Sequence, residues 1–377
     1  MTYLVPRLLA AATQWPLWDV RVYAWGGQQA DQSGALYTPG APFSFTYPPF
    51  AAWLFADVPT GVLKGALVLG SVVALAVLTG QALSAAGVRH RPDIVFGVSA
   101  LALLSTPVAY TLHLGEVNLI LAALVGSDLL RQQDGGRWQG VATGLAAGIK
   151  LTPLVFAVYL LVTGRVRAAT TAAGTFAVTV AGGYLVLPAQ SRMFWLGGVF
   201  DNTHRIGDQA NPSNQSLAGA LARLAGSTEA PPVWWLAAAI TGLAGLVVAV
   251  WAHRRGHRLA GVVCCATTGL LISPMSWTHH WVWAVPLVVW LAVAAWRHRS
   301  WLTGLGAVAA ASVFLPIPLP WAGRSPGAGR LLAGDLYVLC GEAVLAGTAL
   351  ALARRRAPRP GGQGRGRTTA ESAGGGI

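Results

Sequence analysis

Acids are scarce in this 377-residue chain, 13 against 26 lysines and arginines, so the place of each one matters. Asp19 stands in WPLWDVRVYAWG, residues 15–26, among Trp15, Trp18, Tyr23 and Trp25. Indole and phenol rings favour the boundary between lipid and water. A carboxylate held at that boundary loses part of its hydration, which raises its pKa and suits it to accept a proton near neutral pH. Its ordinary role would be to N-cap the short run that follows. On these residues alone both readings stand.

Four other groups could do chemistry. In FSFTYPPF, residues 43–50, Pro48 and Pro49 fix φ and hold Tyr47 extended, as a rigid wall for a sugar or headgroup or as a plain entry to the next helix. HLGEVN places Glu116 and Asn118 at a helix start, to cap it or to bind substrate. SPMSWTHHW carries His279 and His280, which could hydrogen-bond a phosphate beside the indole N–H of Trp277. Lys150, one of two lysines, interrupts an apolar run at IKLTP, where carbonyls freed by Pro153 could satisfy it. Two adjacent histidines with no acid or cysteine at ligand spacing are a weak zinc signal, and no metal is expected. The chain has no GxxxxGK[ST] or GxGxxG phosphate cradle and no tight D-x-D pair, which argues against a sugar nucleotide as donor. No cofactor is expected.

These groups need a scaffold, and its composition is that of a membrane protein. Hydrophobic residues make up 54%, charged residues 10%, and the mean hydropathy is +0.54. A soluble domain carries about 25% charged residues. Backbone amides in lipid must bond within their own segment, so the fold class is an all-α polytopic integral membrane protein. Apolar runs predict about nine crossings, near 60–86, 94–111, 117–130, 168–188, 232–251, 259–274, 280–296, 301–320 and 331–353. Basic linkers such as GVRHRP, HRRGHR and RRRAPRP alternate with HLGEVN and SPMSWTHH, which have no Lys or Arg. The positive-inside bias puts the basic set in the cytoplasm. It thereby gathers Asp19, Asp31, Glu116, Asp201, Asp208, His113, His204, His279 and His280 outside.

One conflict is informative. RQQDGGR and TGRVR both look cytoplasmic, yet a single apolar run separates them. A broken, re-entrant pair of short helices, 139–149 and 152–163, resolves it, with the break at Lys150–Pro153. The alternative is one kinked crossing. Residues 1–356 are expected to form one membrane-embedded domain, and 357–377, rich in Gly, Arg and Pro, a disordered basic cytoplasmic tail. MTYLVPRLLAAAT is too short for a crossing, so either a start lies upstream or the first helix is abbreviated. The net charge of +13 sits in short loop clusters rather than a stripe, which speaks for an anionic leaflet and against nucleic acid. Cys264, Cys265 and Cys340 lie within apolar runs and form no disulfide framework.

WDVRVYAWG, FTYPPFAAWLFA, HLGEVNLILAALVGSDLLR, GLAAGIKLTPLVFAVYLLVTGR, NQSLAGALARL and LLISPMSWTHHWVWAVPL occur in this order. Together they resemble the family 87 glycosyltransferases of actinobacteria, polyprenol-phosphate-mannose-dependent α-mannosyltransferases of GT-C fold. The resemblance implies a plasma-membrane enzyme whose active site faces the extracytoplasmic side. It would move mannose from polyprenyl-phosphate-mannose to a hydroxyl of a glycolipid or lipoglycan, such as a phosphatidylinositol mannoside or lipomannan, in one inverting displacement. Asp19 matches the family's general base. His279 and His280 match an outside histidine pair placed to receive the phosphate charge, helped by Lys150 or Arg205, with Tyr47, Glu116, Asn118 and Trp277 in the substrate site. Two departures stand out: only about half a helix precedes Asp19, and Glu116 replaces a frequent Gln. A transporter or flippase for a lipid-linked sugar would also be polytopic with a broken helix. It should show midplane charges and inverted repeats, whereas these acids lie in loops and no second broken helix mirrors IKLTP. Another lipid-linked sugar, such as arabinofuranose, remains a possible donor.

Overall fold

The computed structural model describes residues 17–30, 35–38, 44–89, 91–131, 136–202, 205–316 and 334–354, and these are helical throughout apart from turns. Asp31, His204, the first 16 residues and the 357–377 tail lie outside the described residues. In chain order the helices are α1 (Trp18–Gln29), α2 (Pro49–Phe55), α3 (Thr60–Ala85), α4 (Pro92–Ala102), α5 (Thr106–Leu114), α6 (Asn118–Leu129), α7 (Val141–Ile149) and α8 (Leu154–Val162). They continue with α9 (Val166–Val186), α10 (Pro188–Leu196), α11 (Leu217–Ala225), α12 (Val233–Arg254), α13 (Arg258–Ile272), α14 (Ala284–His298), α15 (Trp301–Val313) and α16 (Leu336–Arg354).

Nine full crossings are not what the described residues show. Five stretches are long and apolar enough to cross a membrane: α3, α9, α12, the segment Thr278–His298 and α16. A sixth is counted if α4 and α5 form one span, but they are bent by 80° at Leu103–Ser105, so the expected crossing at 94–111 is broken. The helices at 117–130 and 259–274 have only 12 and 15 residues. Their apolarity faces protein rather than lipid. Nine of the 12 residues of α6 and 11 of the 15 of α13 are buried inside the protein, so they are hydrophobic as core elements. The helix expected at 301–320 stops at Val313. α12, by contrast, turns Leu236, Ile240, Leu243 and Val247 outward, an exposed stripe at helical spacing of the kind a lipid-facing helix presents. The chain is an integral membrane protein.

The break at IKLTP is present. α7 ends at Ile149, Lys150 is extended (φ −147°, ψ 133°), and α8 starts after Pro153. The two arms form a hairpin whose open end lies at the start of α9: Gly140, before α7, packs on Ala168, while α8 runs through Thr163 into Arg165 and α9. One free amide in the first turn of α7 is satisfied by Asp128, whose carboxylate accepts from Thr143 N (2.8 Å) and Thr143 Oγ1 (2.9 Å). Glycines set how closely α7 lies on α9. Gly140, Gly144 and Gly148 recur every four residues, and a Cβ on each would strike the Ala168 carbonyl, the Ala172 carbonyl and the Thr179 side chain respectively. Such a small-residue face lets helix backbones touch, which is how helices pack where no hydrophobic drive separates lipid from protein.

The turns then sort into two ends. Arg297 donates to the Gly87 carbonyl (2.8 Å), joining the ends of α3 and α14. Leu352 of α16 packs with Ala252 and Ala260, and Arg165 lies over the Tyr159 ring, which touches His253. The described basic turns therefore share one end. The Glu116 turn and residues 273–283 lie at the other.

Because a Cβ at Gly144 would sit 2.7 Å from that of Thr175 as well as in the Ala172 carbonyl, Gly144→Val must push α7 off α9. Overpacking of this kind costs about 1–3 kcal/mol. The variant is expected to lower the apparent melting temperature in detergent by several degrees, whereas Gly174→Val, which meets nothing within 4 Å, should leave it unchanged.

Candidate active site

Four pieces of chain meet at the end opposite the basic turns. The first is α1. Asp19 is its second residue, and its N-cap is Leu17 in a left-handed conformation (φ 43°), so Asp19 is not the cap. Leu17 and Val20 on either side are buried. Val20 lies over Gly115, where any side chain would collide with it and where φ is +70°. This is one of the few positions that need glycine twice over, for the backbone turn and for the close approach. It holds Asp19 next to the turn that carries Glu116.

The second and third pieces are that turn and the IKLTP break, and they meet in a saturated hydrogen-bond network. Lys150 Nζ donates to Glu116 Oε1 (2.5 Å), to Asn118 Oδ1 (3.0 Å) and to His280 Nε2 (3.1 Å). An ammonium has three N–H groups, and each has a partner here. The last contact makes His280 Nε2 the acceptor and assigns the ring proton to Nδ1. Asn118 Nδ2 donates to Glu116 Oε2 (2.5 Å) and to the His279 carbonyl (2.9 Å). His279 Nε2 lies 2.9 Å from Glu116 Oε2, and Thr111 Oγ1 donates to the same His279 carbonyl (3.0 Å). Tyr47 completes the group: its hydroxyl donates to Glu116 Oε1 (3.5 Å) and its ring lies 5.7 Å from the Lys150 ammonium. Glu116 is 1% exposed. Burial alone would favour its neutral form, but Lys150, His279 and His280 together outweigh burial and hold its carboxyl well below the usual carboxylate range.

Asp19 answers to the same charges with the opposite result. Its pKa is pushed up to about 7, first by burial and then by the negative charge of Glu116, while His279 and Lys150 pull it back. Two acids in one site thus have separated tasks: Glu116 stays ionised, and Asp19 takes up or gives up a proton near neutrality. Tyr23 donates to the Tyr47 hydroxyl (3.1 Å), and burial, with the carboxylates nearby, keeps both phenols protonated. The wall behind them is built by Tyr37, which donates to the Tyr47 carbonyl (2.7 Å), and by Arg205, which donates to the Tyr37 carbonyl (2.5 Å).

The fourth piece is the turn 273–283, and what fixes it is the motif NQS at 214–216. Asn214 is fully buried. Its amide donates to the carbonyls of Gln209 (2.9 Å) and Pro274 (3.1 Å), and its oxygen accepts from Ser276 N (2.8 Å). Gln215 N donates to the Ser276 carbonyl (2.7 Å), Thr278 N to Ser213 (2.9 Å), and the Trp281 indole to Gln215 (3.2 Å). Arg223, bonded to the Asn214 carbonyl (3.0 Å) and paired with buried Asp335, braces the loop from behind. The histidine pair is therefore held from both sides.

Asp19, Tyr47, Glu116, Asn118, Lys150, His279 and His280 are all brought together. Trp277 goes elsewhere: its ring packs over Gly207 and its backbone bridges to Asn214. The carbonyls freed at the IKLTP break were the expected partners of Lys150, and the structure replaces them with the side chains of Glu116, Asn118 and His280. Asp208 and Asp201 are exposed loop residues, Asp208 capping its own turn through Ala210 N (2.8 Å). Sequence reasoning assigned no role to Tyr23 or Asn214. NQS was visible as a motif, but its bonds to 274–281 cross about 60 positions, and spacing does not reveal them. Sequence spacing also gave the histidines no acid partner, whereas the fold adds Glu116: one ligand atom from each of Glu116, His279 and His280 lies within 4.8 Å of the others. The Lys150 ammonium contacts two of these atoms, so the cluster carries its own cation.

The structure thus holds a buried ion network at one end of an all-helical membrane protein, beside a carboxyl poised near neutrality. The chain belongs to glycosyltransferase family 87, whose sequence profile matches residues 45–274. It is 34% identical over 305 residues to the polyprenol-phosphate-mannose-dependent alpha-(1-2)-phosphatidylinositol pentamannoside mannosyltransferase of Mycolicibacterium smegmatis, covering 77% of this chain and 71% of that protein. It is 31% identical over 376 residues to the polyprenol-phosphate-mannose-dependent alpha-(1-2)-phosphatidylinositol mannoside mannosyltransferase of Mycobacterium tuberculosis, covering 90% and 86%. No solved structure matches the chain significantly. The matched segment of the family profile contains every residue of the Lys150 network except His279 and His280, and it begins after Asp19.

Lys150→Met would leave the buried Glu116 ionised without its nearest cation, and breaking one side of a buried pair costs about 3–5 kcal/mol. The single variant is expected to be strongly destabilised in thermal unfolding. Adding Glu116→Gln should recover more than half of the loss, since the amide retains partners in Asn118 and His279. Strict additivity of the two substitutions would remove the pair from its central place.

Proposed function

We propose that this protein transfers mannose from polyprenyl-phosphate-mannose to a hydroxyl of a phosphatidylinositol mannoside or related lipoglycan, at the extracytoplasmic face of the plasma membrane. Donor and acceptor are taken from the relatives' activities. The observation that carries the mechanism is Asp19, a carboxyl pushed up to about 7 beside a fixed cluster of Lys150, Glu116 and two histidines. The architecture is read as GT-C-like, with the α7–α8 hairpin dipping from the cytoplasmic side and presenting Lys150 at its tip.

The reaction is a single inverting displacement. The acceptor hydroxyl gives its proton to Asp19 as its oxygen forms a bond to the anomeric carbon. The bond from that carbon to the phosphate oxygen breaks, and polyprenyl phosphate leaves with the electron pair. The transition state has oxocarbenium character, as in other glycosyl transfers. Charge growing on the phosphate is met by His279, His280 and Lys150, fixed in place before the reaction. All three hydrogens of Lys150 are engaged, so it acts as a stationary positive charge and as the group that orients His280. Glu116 offsets that charge and keeps the leaving phosphate from binding too tightly. A lipid donor needs no nucleotide cradle, because the membrane delivers the activated sugar.

The test uses purified protein, labelled polyprenyl-phosphate-mannose and phosphatidylinositol mannoside, following both sugar transfer and release of polyprenyl phosphate. Asp19→Asn is expected to lose about 10²–10⁴-fold in turnover. Since Asp19 must be deprotonated to act, kcat/KM should be level above about pH 7 and fall below it in inverse proportion to proton concentration. Full transfer by the asparagine variant would remove Asp19 as base. Sugar crossing the membrane without phosphate release would point to a flippase instead.

Sidedness is tested separately. Asp208 and Arg255 are both exposed, the first near the site and the second in a basic turn. In intact cells a membrane-impermeant maleimide should modify Asp208→Cys and spare Arg255→Cys until the membrane is opened. The reverse pattern would invert the topology.

A further inference from the structure

A cavity lies at the opposite end from the site. It encloses about 840 Å³ between α13, α14, α15 and α16, with the end of α3 at its mouth. One wall is a stripe of α16 that includes Ala343, Gly347 and Ala351, and another is formed by Gly306, Ala309 and Ala310 of α15. Small side chains on both walls leave a slot rather than a packed interface. Apolar cavities of only ~150 Å³ already take up small apolar ligands, so a slot this size in a membrane protein takes an occupant. From Thr303 to Val313 the α15 wall spans ten residues, about 15 Å at 1.5 Å per residue. That is the depth of one leaflet, half of a ~30 Å hydrocarbon core.

Charge sets which way the occupant faces. At the basic end the rim carries His257, Arg258, Arg297 and His298, and the bond from Arg297 to the Gly87 carbonyl fixes its guanidinium there. At the far end, beyond Val313 and Leu336, the rings of Phe314, Tyr337 and Trp281 pack against one another, with centroids 4.8–6.2 Å apart. A molecule in the slot therefore has its polar group among the arginines and its chains running toward the rings. The substrates proposed above have the reverse need, since their phosphates must reach Lys150 and the histidines. From His280 to Arg297 the chain climbs 17 residues, about 25 Å at helical rise.

We propose that this cavity is a binding site for one anionic phospholipid, its phosphate held by Arg258 and Arg297 and its acyl chains in the slot. Its assignment to the cytoplasmic leaflet rests on the topology given under the proposed function; the binding itself does not, and it is measured without donor, acceptor or turnover. Anionic lipids concentrate in that leaflet, where each nearby Lys or Arg adds to their attraction.

The experiment is native mass spectrometry of the purified full-length protein, titrated with phosphatidylglycerol, phosphatidylcholine or polyprenyl phosphate. The expected result is a single saturable phosphatidylglycerol adduct, bound at least tenfold more tightly than phosphatidylcholine of the same chains. Arg258→Gln with Arg297→Gln should abolish that preference, and Gly347→Leu should lower occupancy by both lipids. If Gly347→Leu does not fold, Ala309→Leu fills the slot from the other wall, and the arginine variants decide the headgroup claim alone. Equal affinity for the two phospholipids, unsaturable stepwise addition typical of annular lipid, or an unchanged preference in the arginine variant would each overturn the proposal. So would tighter binding of polyprenyl phosphate that survives loss of the arginines, because the slot would then serve the substrate chain.

Discussion

A lysine largely withdrawn from water at the tip of a helical hairpin cannot stay charged without compensation, and most of this end of the molecule follows from how Lys150 is compensated. Its ammonium meets a carboxylate, an amide oxygen and an imidazole nitrogen, one per N–H. Those three acceptors come from two other turns, so the bonds that stabilise the charge also fix the relative positions of the IKLTP break, the Glu116 turn and the histidine turn. In a low-dielectric setting an incomplete version of this network would be worse than none. Its completeness explains why so polar a group persists in so apolar a chain. It also accounts for the acid at position 116, whose extra negative charge is matched by the lysine beside it.

The same network sets the state of Asp19. A lone carboxyl at this burial would be raised by desolvation, and Glu116 raises it further; Lys150 and His279 limit the rise to about 7. The two acids are thus made unequal by their surroundings. Glu116 has the cation in direct contact, while Asp19 feels it only as a field. The helical frame serves this difference. The glycine face of α7 lets the hairpin seat deeply against α9, Gly115 lets α1 close over the Glu116 turn, and Asn214 ties down the histidines.

Much of this was legible from residue types. The all-helical membrane class, the break at Lys150–Pro153 and the short helices on either side follow from composition, a proline and a charge, because local physics fixes them. The residues that the fold gathers around Lys150 were also singled out one by one by their types, while Trp277 packs over Gly207 instead. Contact was not legible. Lys150 and Glu116 are 34 positions apart, and nothing in either neighbourhood says that they touch, so the lysine was assigned to freed carbonyls. The number of long, lipid-facing helices is smaller than the apolar runs suggest for a physical reason too. Hydropathy reports removal from water, and α6 achieves that inside the protein, where burial of Leu119, Leu121 and Val125 looks in sequence like a lipid span.

Fixed charges also bear on why a lipid-linked donor suits this scaffold. A nucleotide donor brings a diphosphate that needs a divalent ion or a glycine-rich loop to bind it. A monophosphate on a lipid carrier brings less charge and is already confined to the membrane boundary. One ammonium and two imidazoles can therefore handle the leaving group, provided that they do not have to reorganise during the reaction. Lys150 cannot reorganise, having no free hydrogen, and His280 is oriented by the bond that Lys150 makes to it. Preorganisation here comes from a saturated network, and the two ends of the molecule differ in kind: a charge-balanced cluster where chemistry is proposed, and arginine-bearing turns at the other end.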